Sequence, residues 1–267
     1  MSANLYDTPL LAELDGFRIE IDAQNERGDI ILSRPPMNVI SMGEREQLRA
    51  AFEALDADDR VRIIVLRAEG DNFSSGGYIR GFLDASPEHV SHLADNIAAP
   101  WRCSKPVIAA NRGYAFGVGF EISLACDFRI VTPSTRYALP EQKLGQIPGS
   151  GGSARLQALI GLARTKDIVM RSRRISGAQA LDWGIAVELV DEDELEAATA
   201  KLVAELRTFS PMAQRTAKKL LNDSENATVA TGVELEGHCY SRLRQSEDFA
   251  EGVNAFHEKR KPVFKGK

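Results

Sequence analysis

With 267 residues, 43% of them hydrophobic and 27% charged, the chain is long enough for one large domain, or a domain with a small annex, around a substantial core. A net charge of −5 and a pI near 5.5 argue against a general nucleic-acid binder or a protein held on membranes by charge. Three cysteines without paired spacing indicate neither a disulfide framework nor a CxxC metal site, Met1–Leu14 does not read as a signal peptide, and no apolar run approaches membrane-spanning length, so a cytoplasmic protein without a metal site is expected.

Phe17–Asp22 alternates apolar and polar residues, and Asp29–Leu32 follows a turn through Asn25–Gly28, which predicts an opening hairpin. Ser33–Met37 must be extended, because its two prolines remove donors and disfavour helix before them. Ser41 with Glu44 three residues on predicts a capping box, opening a helix that carries Leu48, Ala51, Phe52 and Leu55 on one face and ends near Asp56. Val61–Leu66 is a mostly apolar strand of the kind buried in parallel sheets. Glu69–Leu83 then places a small, flexible run, Ser74–Gly77, before a helix start at Tyr78–Leu83. The same order returns at Cys103–Asp127: a strand at Pro106–Ala110, a glycine turn with Gly113, Gly117 and Gly119, and a helix with Glu121 just past its first turn. Asp127–Val131 and Tyr137–Leu139 read as further strands, Pro140–Gly152 as a loop holding Glu141, and Ser153–Ile160 as the next helix. Ser176–Gln179 starts a second capped helix that Gly184 ends, Ala186–Val190 is a final strand, and from Asp191 the pattern is almost wholly helical. Strand and helix alternate, so the fold class is α/β.

A strand that feeds a glycine turn and a helix start leaves unpaired N–H groups and the positive end of a helix dipole aimed at one spot, which suits an oxygen that gains negative charge. A carboxylate at the same spot would repel a bound anion. It makes sense beside a neutral carbonyl undergoing acid–base chemistry. Taken alone, Glu121 reads as a partly exposed helix residue, Glu141 as a solvated loop residue, and Gly76, Gly77, Gly117 and Gly119 as aids to tight packing. Two glutamates combined with two amide-rich turns favour chemistry: one carboxylate takes a proton from water, the other delivers one to carbon, and an oxyanion pocket holds the charge between. Gly149–Ala154 matches GxGxxA, but no convincing strand precedes it, so it counts as chance. His89, His92, His238 and His257 fall on polar stretches and read as surface residues.

The segments RPPMNVIS (34–41), NFSSGGYIRGF (72–82), KPVIAANRGYAFGVGFEISLACD (105–127), LPEQKLGQIPGSGGSARL (139–156) and EGVNAFHEKRKPVF (251–264) resemble, in order, those of the crotonase family, the enoyl-CoA hydratase/isomerase proteins. The resemblance implies a right-handed ββα spiral core over residues 1–190 and a helical region, 191–267, that builds a homotrimer or a homohexamer as a dimer of trimers. It implies that the amides of Gly77 and Val118 hold a thioester oxygen, with Val118 standing where glycine is usual, and that Glu121 activates water while Glu141 protonates C2. Gly149 would help place the water, and Tyr78 departs from an aspartate common at that position. Arg34, Pro36, Met37, Ser75, Ile79 and Arg80 are implied to bind CoA, joined by Lys259 of a neighbouring subunit. The implied activity is addition of water across the 2,3 double bond of a short enoyl-CoA, methylthioacryloyl-CoA being one such thioester; CoA belongs to the substrate, and no separate cofactor, nucleic acid or membrane is implied. Hydration followed or replaced by thioester hydrolysis is the nearest alternative, ahead of an enoyl-CoA isomerase and a non-catalytic acyl-CoA-binding member.

Overall fold

The computed structural model describes residues 5–84, 86, 88, 90 and 93–267. The opening hairpin forms as β1 (Phe17–Asp22) and β2 (Arg27–Leu32), paired antiparallel. Helix α1 (Met42–Ala57) follows and carries the expected capping box, with the Ser41 side chain accepting from the Glu44 amide and Glu44 reaching back to the Ser41 amide. β3 (Ile63–Ala68) returns parallel to β2. Where a helix start is expected after Tyr78 there is only a 3-10 turn, Ile79–Phe82. Two short helices, α2 (Leu93–Ile97) and α3 (Ala99–Arg102), lead into the next unit.

That unit is β4 (Val107–Asn111), β5 (Tyr114–Phe116) and α4 (Val118–Ala125). It is repeated as β6 (Phe128–Val131), β7 (Arg136–Ala138), a 3-10 turn at Glu141–Leu144 and α5 (Gly152–Arg171). Each unit places one strand in a large sheet, one in a small sheet, and then a helix. β8 (Ile175–Ser176), α6 (Gly177–Asp182) and β9 (Glu188–Leu189) complete the strands, and α6 has the second expected capping box, Ser176 with Gln179. The large sheet runs β1-β2-β3-β4-β6-β9, parallel after the first pair; the small one runs β5-β7-β8. Three more expectations shift: Ser33–Met37 is not extended but turns, with Asn38 N donating to Arg34 O at 2.8 Å, β5 occupies what read as part of a glycine turn, and α5 runs on to Arg171 through a break at Gly161 (φ 77, ψ 166).

Alternation along the central strands gives the large sheet two apolar faces. Ile64, Leu66, Val107, Ala109 and Val131 point to the main core with Phe52, Phe73, Phe120 and Tyr137, whereas Ile63, Val65, Ile108, Ala110 and Ile130 pack on α7 (Leu195–Leu206) through Leu195, Ala198, Val203 and Leu206. α7 therefore belongs to the core, although it lies beyond the division expected at residue 190. The remaining helices, α8 (Pro211–Ser224), α9 (Val229–Leu243) and α10 (Glu247–Glu258), are amphipathic. Lys218 anchors α8 to the core: its buried ammonium donates to Pro100 O, Lys105 O and Asp127 Oδ2 at 2.7–2.9 Å. Among the described residues no helix is long and apolar enough to cross a membrane, and no group of three or more His, Cys, Asp or Glu side chains could hold a metal ion.

Candidate active site

The two glycine turns meet because strands beside them pair. Ser74 bridges Ala115 in parallel, with Ser74 N donating to Tyr114 O at 2.8 Å and Phe116 N donating to Ser74 O at 2.9 Å. Ile40 bridges Gly77 in the same way. Gly119 lets α4 approach this seam, since a Cβ there would lie 2.6 Å from Ser74 Cβ. Gly113 (φ 55) is required for the same closeness, because a Cβ would fall 2.0 Å from Asp71 O. Asn38 ties the proline segment to the first turn: its Nδ2 donates to Glu69 O at 2.9 Å and Asn72 O at 2.7 Å, and its Oδ1 accepts from Arg34 N at 2.8 Å. Neither the Gly77 amide nor the Val118 amide donates to another described residue, while their neighbours Gly76 N and Gly117 N are taken up by Ser74 Oγ and Ala138 O. Val118 begins α4, so its amide also carries the helix dipole. The Val118 side chain is buried in the core.

Glu121 sits one turn into α4, buried to 3% exposure, where an isolated carboxylate is costly. Two backbone donors offset that cost: Ser150 N at 2.8 Å and Gly152 N at 3.1 Å, both on Oε1. The stretch that resembled a dinucleotide loop thus serves as a cradle for a carboxylate, with Gly151 (φ 94) starting α5 and Gly152 allowing Glu121 Cγ within 2.9 Å of where its Cβ would be. Burial raises the Glu121 pKa, and the two amides and Arg45 oppose it. Helix α4 is held by stacking of Phe120 on Tyr137 (4.2 Å), by Tyr137 and Ser123 hydroxyls on Asn111 Oδ1, and by Arg129 donating to Ser123 O and Cys126 O at its C-terminus.

Glu141 opens the 3-10 turn after β7, against the other glycine turn: Oε1 would lie 3.0 Å from a Cβ on Gly117. Its Oε2 is enclosed and has no hydrogen-bond partner among the described residues. Burial pushes its pKa up to about 7, the Glu121 charge adds to the rise, and Arg45 acts against it. The structure therefore gathers Glu121, Glu141, Gly77 and Val118 around one spot. Gly149 lies beside them, exposed and facing open space.

Tyr78, Ile79 and Leu83 form an exposed apolar rim on the first turn, and Arg80 is exposed next to them. Ser75 N donates to Met37 O at 2.8 Å, which places Pro36, Met37 and Ser75 together. The Arg34 side chain is committed elsewhere: its guanidinium pairs with Asp15 and with Glu44 (2.7 Å) and donates to Val39 O, so only its backbone lies with Pro36 and Met37. Lys259 caps α10 in a left-handed conformation (φ 54), exposed, in the helical region. His238 and His257 are exposed on α9 and α10; His89 and His92 lie outside the described residues. Ser150, Gly152, Asn38 and Arg45 were not anticipated as site residues. Only the pattern of small residues at Gly149–Gly152 hinted at the first two.

The family model for enoyl-CoA hydratase/isomerase matches residues 23–267. The chain belongs to the enoyl-CoA hydratase/isomerase family. It is similar to a carnitinyl-CoA dehydratase of Salmonella typhi, 36% identical over 251 residues that cover 90% of this chain and 95% of the relative. Among solved structures, enoyl-CoA hydratase subunit I of Geobacillus kaustophilus HTA426 superposes with a TM-score of 0.91 at 32% identity, covering 96% of this chain and all of the other. An enoyl-CoA hydratase of Bacillus anthracis does so at 0.88 and 31%, over 95% and 100% of the two chains. The α/β fold is that of the crotonases, and the protein is a hydratase-type lyase acting on an enoyl-CoA.

Proposed function

We propose that this enzyme adds water across the 2,3 double bond of a short enoyl-CoA thioester, with Gly77, Val118, Glu121 and Glu141 carrying the reaction. The observation that supports this most is the convergence of two unequally held glutamates on two undonated amides. The Gly77 and Val118 amides polarise the thioester carbonyl, and as water attacks C3 they hold the enolate oxygen, where fixed donors outperform water because they need no reorganisation. Glu121, with Oε1 committed to two amides, uses its other oxygen to take the proton of the attacking water. Burial has raised the Glu141 pKa to about 7, so that a large fraction is protonated near neutrality, and this form gives its proton to C2. Gly149 leaves room for the water beside Glu121.

The steps use carboxylates and amides only, and CoA enters as part of the substrate. Its phosphates and pantetheine would lie along Pro36, Met37, Ser75, Ile79 and the exposed Arg80, with the Arg34 backbone and Lys259 of a second subunit completing the site. A homotrimer or hexamer is supported by the apolar side chains that the last helices leave exposed, Val229, Val233, Tyr240 and Phe256. The relative's name describes a dehydration, which is the same reaction in reverse. The acyl group is proposed to be short, methylthioacryloyl included, and the cytoplasm is proposed on cysteine usage.

The test is loss of the conjugated absorbance of crotonyl-CoA and of methylthioacryloyl-CoA, with free thiol followed in parallel. Absorbance loss without thiol is expected on crotonyl-CoA. On crotonyl-CoA, thiol release in step with absorbance loss would move the reading to hydrolysis, and no change in either signal on either ester would leave only thioester binding.

A further inference from the structure

The site contains a cation that the steps above do not use. Arg45, on α1, is 3% exposed, and its guanidinium makes no hydrogen bond or ion pair with any described residue; its Nε is enclosed and unpartnered. An arginine brings five N–H donors, and leaving an enclosed one such as this Nε–H unsatisfied costs more than an ordinary missed contact. The two buried lysines are satisfied, although Arg62 Nε and Arg155 Nε are, like Arg45 Nε, enclosed without a partner among the described residues. Lys105 donates to Leu55 O and Asp58 O, and Lys218 to three oxygens.

The position of Arg45 relates it to substrate. A Cβ on Gly77 would lie 2.8 Å from Arg45 Nη2 and 2.7 Å from Phe82 Cζ, so the guanidinium fills the space beside the amide proposed to hold the thioester oxygen. It lies 5.8 Å over the Phe82 ring, a contact that steadies the charge without accepting its hydrogen bonds. Glu121 and Glu141 both act on it electrostatically, and so does Glu44. Glu44 is already occupied by Arg34 and the Ser41 amide.

Resting on the hydratase reading, we propose that Arg45 determines acyl specificity: its guanidinium pairs with a carboxylate carried on the acyl chain, so that the site favours enoyl-CoA esters with a distal anionic group over neutral or cationic ones. A carboxylate accepts two parallel N–H bonds from a guanidinium and cancels its charge, which the neutral thioester oxygen, already served by two amides, does not. A further anion is tolerated because Glu141, its pKa pushed up to about 7 by burial, is partly protonated near neutral pH.

The probes are three saturated thioesters, glutaryl-CoA, butyryl-CoA and 4-trimethylammoniobutyryl-CoA, titrated by calorimetry into the wild type, Arg45→Met and Arg45→Lys, beside hydration of glutaconyl-CoA and crotonyl-CoA. The wild type is expected to bind glutaryl-CoA at least roughly tenfold more tightly than butyryl-CoA and the cationic ester most weakly. In Arg45→Met the glutaconyl-to-crotonyl ratio of kcat/KM should fall roughly 100-fold, with Arg45→Lys intermediate. Equal binding of glutaryl-CoA and butyryl-CoA by the wild type overturns the inference, and that comparison stands even if Arg45→Met does not fold. An equal loss on both acyl groups in Arg45→Met overturns it too, assigning Arg45 to charge balance of the glutamates. Preference for glutaryl-CoA without hydration of either enoyl ester would overturn the catalytic reading and leave Arg45 as proposed.

Discussion

Helix α4 and the loop at Pro140–Gly152 each bring one glutamate to the same spot, and they hold it differently. Glu121 rides on a helix that is buried throughout, clamped near its C-terminal end by Asn111 and Arg129, and its carboxylate is fixed by two amides. Glu141 stands at the head of a 3-10 turn whose residues are not buried, with one oxygen enclosed and unpartnered. Burial raises the pKa of both carboxyls, but the two amides on Glu121 orient it and oppose the rise, whereas the enclosed oxygen of Glu141 has no such donor among the described residues. Unequal environments therefore separate two chemically identical side chains into a base and an acid, and the loop supplies both the looser glutamate and, through Ser150 and Gly152, the clamp on the tighter one.

The strongest way to break this contrast is Glu121→Gln. Glutamine keeps an oxygen for the Ser150 and Gly152 amides, so the fold should survive, but it cannot take a proton. A loss of roughly 10³–10⁴-fold in kcat/KM is expected, with thioester affinity by calorimetry within a few-fold of wild type. Activity close to wild type would remove Glu121 from its role as base.

Glu141→Gln should cost somewhat less, roughly 10²–10³-fold, and it also tests protonation. Burial lifts the folded pKa of Glu141 to about 7, above the usual carboxylate value near 4.5. The folded state therefore holds this proton more tightly than the unfolded chain, so the contribution of Glu141 to stability is complete below about pH 4.5 and is lost as pH rises toward 7. The expected signature is a fall in Tm between pH 5 and pH 8 that is smaller in Glu141→Gln, the difference amounting to at most about 3 kcal/mol before solvent screening reduces it. Identical slopes in the two proteins would show that the acid is not perturbed.

How much of this was legible depended on how local each cause is. The capping boxes at Ser41 and Ser176 were readable because donor and acceptor lie three residues apart. β5 was hidden as a turn, since its three residues become a strand only by pairing with β7 and Ser74. The end of α5 was misplaced because Gly161 interrupts the helical dihedrals without ending the element. Within the site, both glutamates and both glycine turns could be picked out, but their partners could not. Ser150 and Gly152 act through backbone amides that any residue carries, and Arg45 looks like an ordinary surface helix residue until Gly77 and Phe82 fold against it. Arg34 shows the converse: implied by the resemblance to bind CoA, its side chain is spent on Asp15 and Glu44.

The mildest test concerns the half of the site that has no titratable group. Val118 contributes a backbone amide, and its side chain, 3% exposed, packs into the core. If the amide alone matters, Val118→Ala should behave as a core truncation: about 1–2 kcal/mol less stable by denaturant unfolding, from lost burial and incomplete collapse of the gap. Hydration of crotonyl-CoA should change by less than roughly tenfold, because the amide, the dipole behind it and both glutamates remain. A rate loss approaching that of Glu141→Gln would mean that the isopropyl group positions the N–H or shapes the acyl pocket, and the site would then depend on side-chain packing at a point where backbone geometry alone is expected to suffice.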